Sequence, residues 1–112
     1  MAQHNDLGKI GEVLAVDHLK QLGFTIEATN WFFGRAEIDI IAKKGDVLVA
    51  VEVKTRTSDF FGAPEIFVNK KKIALIGKAM HHYVIRNALE VEVRFDIITV
   101  LKNKYECKIN HI

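Results

Sequence analysis

A chain of 112 residues with 49% hydrophobic content holds one ordinary domain with one core and is too short for two, so a single domain over residues 1–112 is expected. Sixteen Lys and Arg against fourteen Asp and Glu leave a net charge of +2, which does not demand nucleic acid and turns attention to local clusters. The one cysteine, Cys107, excludes an intrachain disulfide and a C-x-x-C metal or redox pair; with charges mixed through the N-terminal segment and no apolar run near the ~20 residues of a membrane span, a cytoplasmic protein with no membrane partner is expected.

Leu7, Ile10, Leu14, Leu19 and Leu22 recur at helical spacing, which predicts a helix over 7–22, capped by Asn5 or Asp6 and ended by Gly23. Gly8 and Gly11 fall near its apolar stripe, where a missing side chain lets a helix approach a sheet closely. Residues 23–30 alternate through Phe24, Ile26 and Ala28 as a half-buried strand does. Two more strands, about 37–42 and 47–54, flank the turn Lys43-Lys44-Gly45-Asp46 and read as a hairpin. A looser segment with Gly62 and Pro64 leads to a helix over 69–86, with Ile73, Ile76, Ala79 or Met80, and Tyr83 to Val84 spaced for burial. Residues 90–101 alternate again, and 104–109 can add a short edge strand. The class is α/β, in the order α-β-β-β-α-β(-β).

The hairpin strands are apolar, yet they carry Glu37, Asp39, Glu52 and Lys54. With the turn centred on Lys44-Gly45, position 42 faces 47, 40 faces 49 and 38 faces 51. Ile38, Ile40, Ala42, Val47, Val49 and Val51 then share an apolar face, and Glu37, Asp39, Glu52 and Lys54 share the other. Asp39 becomes a diagonal neighbour of Glu52, and Glu37 lies directly across from it. Like charges so placed destabilise a sheet unless something positive joins them. A hard cation such as Mg²⁺ answers that need, because one or two carboxylates suffice when water and substrate phosphate complete its shell. Lys54, two residues from Glu52, reaches the same space and can position an attacking water or offset charge on a phosphate. On the first helix, Glu12 points towards the packed side, where a carboxylate needs a partner. The competing reading is a solvated sheet face on which Lys54 makes an ordinary cross-strand pair.

Taken together, Asp39 and then Glu52-Val53-Lys54 on the next strand resemble the D…(D/E)-x-K pattern of the restriction-endonuclease-like nucleases. The series G-x-x-G-E at 8–12, Gly23-Phe24, Asn30-Trp31, E-I-D-x-I-A at 37–42, V-E-V-K-T-R at 51–56 and R-F-D at 94–96 resembles the bacterial YraN family across nearly the whole chain. That family is predicted to share the nuclease core, a mixed central sheet flanked by helices, and is similar to archaeal Holliday-junction resolvases. The resemblance implies that Asp39 and Glu52 hold Mg²⁺ or Mn²⁺, that Lys54 is the catalytic lysine, that Glu12 is the helix acid of resolvase-like members and that Glu37 supports them. Ala36 stands where the family usually has glycine, a small replacement that leaves the acids untouched.

The expected function is a metal-dependent endonuclease acting on DNA, branched or structured DNA included. The alternative is a non-catalytic nucleic-acid- or protein-binding module that retains the nuclease fold, and a third reading is a subunit that acts only with a protein partner. Junction cutting favours a homodimer, since two strands are cut at related positions. Candidate phosphate contacts are Arg35, Arg56, Lys70, Lys71 and Lys72, with the aromatic run Trp31-Phe32-Phe33 able to stack on unpaired bases or to serve as core. His81-His82 lacks a zinc-ligand pattern, and Asp96 is expected to pair with a basic residue.

Overall fold

The computed structural model describes residues 3–57 and 69–112; the segment with Gly62 and Pro64 lies outside the described residues. Helix α1 (Gln3–Gln21) precedes strands β1 (Thr25–Phe33), β2 (Ala36–Lys44) and β3 (Val47–Arg56), then helix α2 (Lys70–Arg86) and strands β4 (Glu92–Lys102) and β5 (Cys107–His111). The sheet is mixed, in spatial order β1-β2-β3-β4-β5. Among the described strands only β3 and β4 run parallel, and α2 lies in the crossover that a parallel pair requires. This is the α/β class and element order expected from the sequence, with β5 as the fifth strand.

The helices cover opposite faces of the sheet. Ala15 and Leu19 of α1 pack on Ile40, Ala42, Val49, Val51, Ile98 and Val100, while Ile76, Ala79 and Met80 of α2 pack on Ala36, Ile38, Ile41, Leu48 and Ala50. Both faces of β2 and β3 are therefore core, which corrects the expectation of one apolar and one acidic face. The inward row of α1 is also different. Gly11, Ala15 and Leu19, spaced by four, are buried, while Ile10 and Leu22 are more than two-fifths exposed. Small residues win this face because they let the helix lie close to the sheet: a Cβ on Gly11 would come within 1.8 Å of Thr55 Oγ1. Gly8, by contrast, faces open space. Because α1 starts at Gln3, Asn5 and Asp6 lie inside the helix and not at its cap.

The β2–β3 register is two residues from the expected one. Ala42 faces Val49 and Ile40 faces Val51, so the two turn residues are Gly45 and Asp46. Gly45 has φ +59°, the left-handed value needed at the first central position of a type II′ turn, which glycine adopts without steric cost. A shift of two preserves which face each side chain takes but changes its partners. Glu37 is paired with Phe32 of β1 and is not across from Glu52. Ile38 changes face as well. It joins the α2 core with Ile41, whereas Ile40 joins the α1 core, so the strand is irregular around Asp39. In the neighbouring β1, Asn30 takes φ +48°, a conformation that asparagine tolerates better than most residues.

On β4, Asp96 is buried and receives two bonds from Arg94, at 2.8 and 2.9 Å. His111 Nε2 lies 2.7 Å from Asp96 Oδ2, and its Nδ1 lies 3.1 Å from His18 Nε2. Asp96 thus has the basic partner expected of it and ties β5 to the sheet and to α1. Burial, followed by the proximity of His111, holds the His18 pKa below its ordinary value.

Candidate active site

Between the first turns of α1 and the ends of β2 and β3 lies a cleft of about 530 Å³, lined by Glu12, Arg35, Glu37, Asp39, Glu52, Lys54 and Lys72 among others. The sheet places its two central acids by different means. Glu52 follows four buried residues on β3 and is itself only 5% exposed, so packing on both sides of the strand fixes where its side chain emerges. Asp39 sits at the irregular point of β2, beyond the last paired residues, and its Oδ2 accepts the Val53 N–H at 2.8 Å. The side chain thus takes up a main-chain donor of the adjacent strand.

Two ammonium groups meet Glu52. Lys54 Nζ is 3.5 Å from Glu52 Oε2, and Lys72 Nζ bonds to the same oxygen. Lys72 is delivered by the first turn of α2, whose start is capped by Asn69 Oδ1 accepting the Lys72 N–H at 2.9 Å. Glu12 accepts a bond from Asn30 Nδ2 at 3.1 Å, so the left-handed kink in β1 holds the helix acid. Asp39 is the group whose chemistry departs most from the ordinary. Burial raises its pKa, the Val53 N–H opposes that rise, and the negative charges of Glu52, Glu12 and Glu37 add to it, bringing the value to about 6.

All five residues expected to carry chemistry, Glu12, Glu37, Asp39, Glu52 and Lys54, line this one cleft, with Arg35 beside them. The basic residues divide. Lys72 joins the acids, Lys70 and Lys71 are exposed and outside the lining, and Arg56 lines a separate pocket with Thr99, Lys108 and Asn110. Two participants escaped the reading of the sequence. Asn30 was legible as part of a strand but not as a left-handed residue bonded to Glu12, and Lys72 read as a phosphate contact and not as the ion-pair partner of Glu52.

Residues 11–100, a span that includes every one of these acids and both lysines, match the uncharacterised protein family UPF0102. The chain belongs to that family. A UPF0102 protein of Flavobacterium psychrophilum is 57% identical over 111 residues, covering 99% of this chain and 93% of the relative. One from Christiangramia forsetii is 52% identical, covering 100% and 94%, and one from Porphyromonas gingivalis is 52% identical, covering 90% and 75%.

The donor chemistry of this UPF0102 cleft suits a hard divalent cation. Two acids of neighbouring strands offer oxygen only, and the pKa of Asp39, raised first by burial, is raised further by repulsion from Glu52, Glu12 and Glu37, which a cation would relieve. Asp39 and Glu52 are the residues that would hold it. Among the described residues, no three Asp, Glu, His or Cys groups converge on one point, so water and substrate oxygens would have to complete the shell. Among the described residues, no helix of this UPF0102 member is long and apolar enough to cross a membrane.

Proposed function

We propose that this protein is a metal-dependent endonuclease that hydrolyses phosphodiester bonds of DNA, structured or branched DNA in particular. The observation that carries the reading is the convergence of Asp39, Glu52 and Lys54 in one cleft, with Glu52 held in place by a strand buried on both faces. Mg²⁺ or Mn²⁺, when bound, would polarise the phosphate and acidify a water molecule. Asp39 and Glu52 would hold the ion. Lys54, whose ammonium already shares the space of Glu52, orients the attacking water and offsets charge on the phosphate as the new P–O bond forms and the bond to the leaving oxygen breaks. Glu12 and Glu37 support the acids from α1 and β2, and Arg35 and Lys72 lie where a phosphate enters.

The test is a cleavage assay with Mg²⁺ or Mn²⁺ on single-stranded, duplex, flap and four-way-junction DNA, comparing wild type with identically purified Glu52→Ala. Cutting by wild type alone, abolished by chelator, is the expected result; equal cutting by both proteins would sink the assignment. Two cuts at related positions in a junction would call for a homodimer, which sedimentation with and without DNA would reveal.

One contact favours a second reading. Lys72 already neutralises Glu52, as expected of a non-catalytic DNA- or protein-binding module that keeps the fold, or of a subunit completed by a protein partner. The two readings part at Lys72→Ala. In the enzyme, Lys72 competes with the cation for Glu52, so removing it should lower the Mg²⁺ concentration for half-maximal cleavage by about two- to five-fold, the scale of a partly exposed ion pair. In a binding module, DNA affinity persists in chelator and Lys72→Ala only weakens it.

A further inference from the structure

The aromatic run at the end of β1 divides its work between the two faces of the strand. Trp31 and Phe33 lie on the α2 side: their rings stack on each other at 6.3 Å, Phe33 stacks on His82 at 4.2 Å, and Trp31 meets the edge of Tyr83 at 5.3 Å. Ala36, just past the turn, is buried in the same core. Four rings therefore clamp the β1–β2 tip against α2, and Gly34, with φ +60°, closes the turn.

Phe32, between the two clamped aromatics, takes the opposite face, because successive side chains of a strand alternate. It is 64% exposed, and its cross-strand partner is Glu37, which lines the acidic cleft together with Arg35 of the same tip. Paired residues project to the same side with Cβ atoms about 4.5–5.5 Å apart. Asp39 lies two residues beyond Glu37, roughly 7 Å along the strand. The phenyl ring thus stands beside the cleft, next to Glu37 and on the same tip as Arg35.

A large apolar ring presented to water on a tip made rigid from behind gains nothing for folding, but it is already ordered for a flat partner. We infer that Phe32 is a stacking platform for an unpaired base, so that the cleft takes DNA whose strand is single or opened beside the phosphate it acts on. Duplex DNA offers no free base face to such a ring, whereas every unpaired base does, whatever its sequence. Arg35, at the same turn, lies where the adjoining phosphate would pass. The inference rests on the nuclease reading, since it names the substrate class of that cleft.

The test uses the full chain as wild type, Phe32→Ala, Phe32→Leu and Phe32→Trp, with one thermal melt per protein as a folding control. Binding is followed by the anisotropy of a short labelled single strand and of the matching blunt duplex, and by quenching of a 2-aminopurine base within the single strand. Phe32→Ala and Phe32→Leu should weaken single-strand binding by about 5- to 150-fold, the scale of one base stack, and abolish the quenching. Both should leave duplex binding within about two-fold, and Phe32→Trp should retain the wild-type behaviour. Equal single-strand affinity in wild type and Phe32→Ala, or equal losses on single strand and duplex, would overturn the stacking role while leaving the nuclease reading standing. Failure of wild type to bind or cut either DNA would overturn both.

Discussion

Asp39→Asn is expected to reduce cleavage by on the order of 10²–10³-fold, the scale for removing one preorganised electrostatic group from a reacting centre, and to make the folded protein more resistant to heat at neutral pH. The two effects have one cause. The carboxyl of Asp39 is raised from 3.8 to about 6 by burial and by Glu52, Glu12 and Glu37, against the opposing Val53 N–H. The folded chain therefore holds this proton more tightly than the unfolded chain. Its contribution favours folding most below pH 3.8, declines as the pH rises from about 4 to about 6, and stays at its low value above that. Asparagine remains neutral throughout and keeps an oxygen for the Val53 N–H. Thermal melts of the two proteins should therefore diverge across that window, with the variant melting higher at pH 7. Added Mg²⁺ should raise the melting temperature of wild type and not of the variant. An Asp39→Asn protein that cuts as fast as wild type would refute the assignment of Asp39 to the ion.

The second large effect is on stability, at the contact between α1 and β3. Gly11→Ala would bring a Cβ within 1.8 Å of Thr55 Oγ1 and 2.9 Å of Thr55 Cβ, so either the helix or the strand must give way. Overpacking of this kind costs roughly 1–3 kcal/mol, against a gain of about 1 kcal/mol from better helix propensity. The melting temperature should fall by several degrees, at roughly 4–8 °C per kcal/mol for a small domain. Three residues earlier the same substitution has the opposite sign. Gly8 faces open space, so Gly8→Ala should raise the melting temperature through helix propensity alone. If Gly11→Ala melts at or above wild type, the close approach of α1 to Thr55 is wrong. Glu12 follows Gly11 directly, so the destabilised variant should also lose activity as its helix acid is displaced.

These contacts show what was legible in the sequence and what was not. Alternation and helical spacing located the strands and helices, and the acids could be assigned to one region because Asp39 and Glu52-Val53-Lys54 lie on adjacent strands. The register was misread by two residues because a two-residue turn can be centred in more than one way around Gly45, and only its backbone angle decides. The α1 face was misread for a different reason. Large apolar residues dominate a sequence pattern, but a helix pressed against a sheet is governed by the residues small enough to permit contact, here Gly11 and Ala15. The partnership of Asn30 with Glu12 depends on a left-handed residue in a strand, and the bond from Lys72 to Glu52 depends on where a crossover helix begins. Both are set by tertiary geometry, and local pattern carries no trace of them.

The cleft lining also fixes an order of events for the proposed enzyme. Four carboxylates, from Glu12, Glu37, Asp39 and Glu52, face three basic groups, from Arg35, Lys54 and Lys72, which leaves one negative charge when all are ionised. In that state the cleft is mildly repellent to a phosphate and attractive to a cation. One divalent ion inverts the sign, because bound cations are commonly the largest local charges in such a site. The metal would then arrive first and the nucleic acid second, because DNA meets a less favourable field in a cleft that has not yet taken its ion.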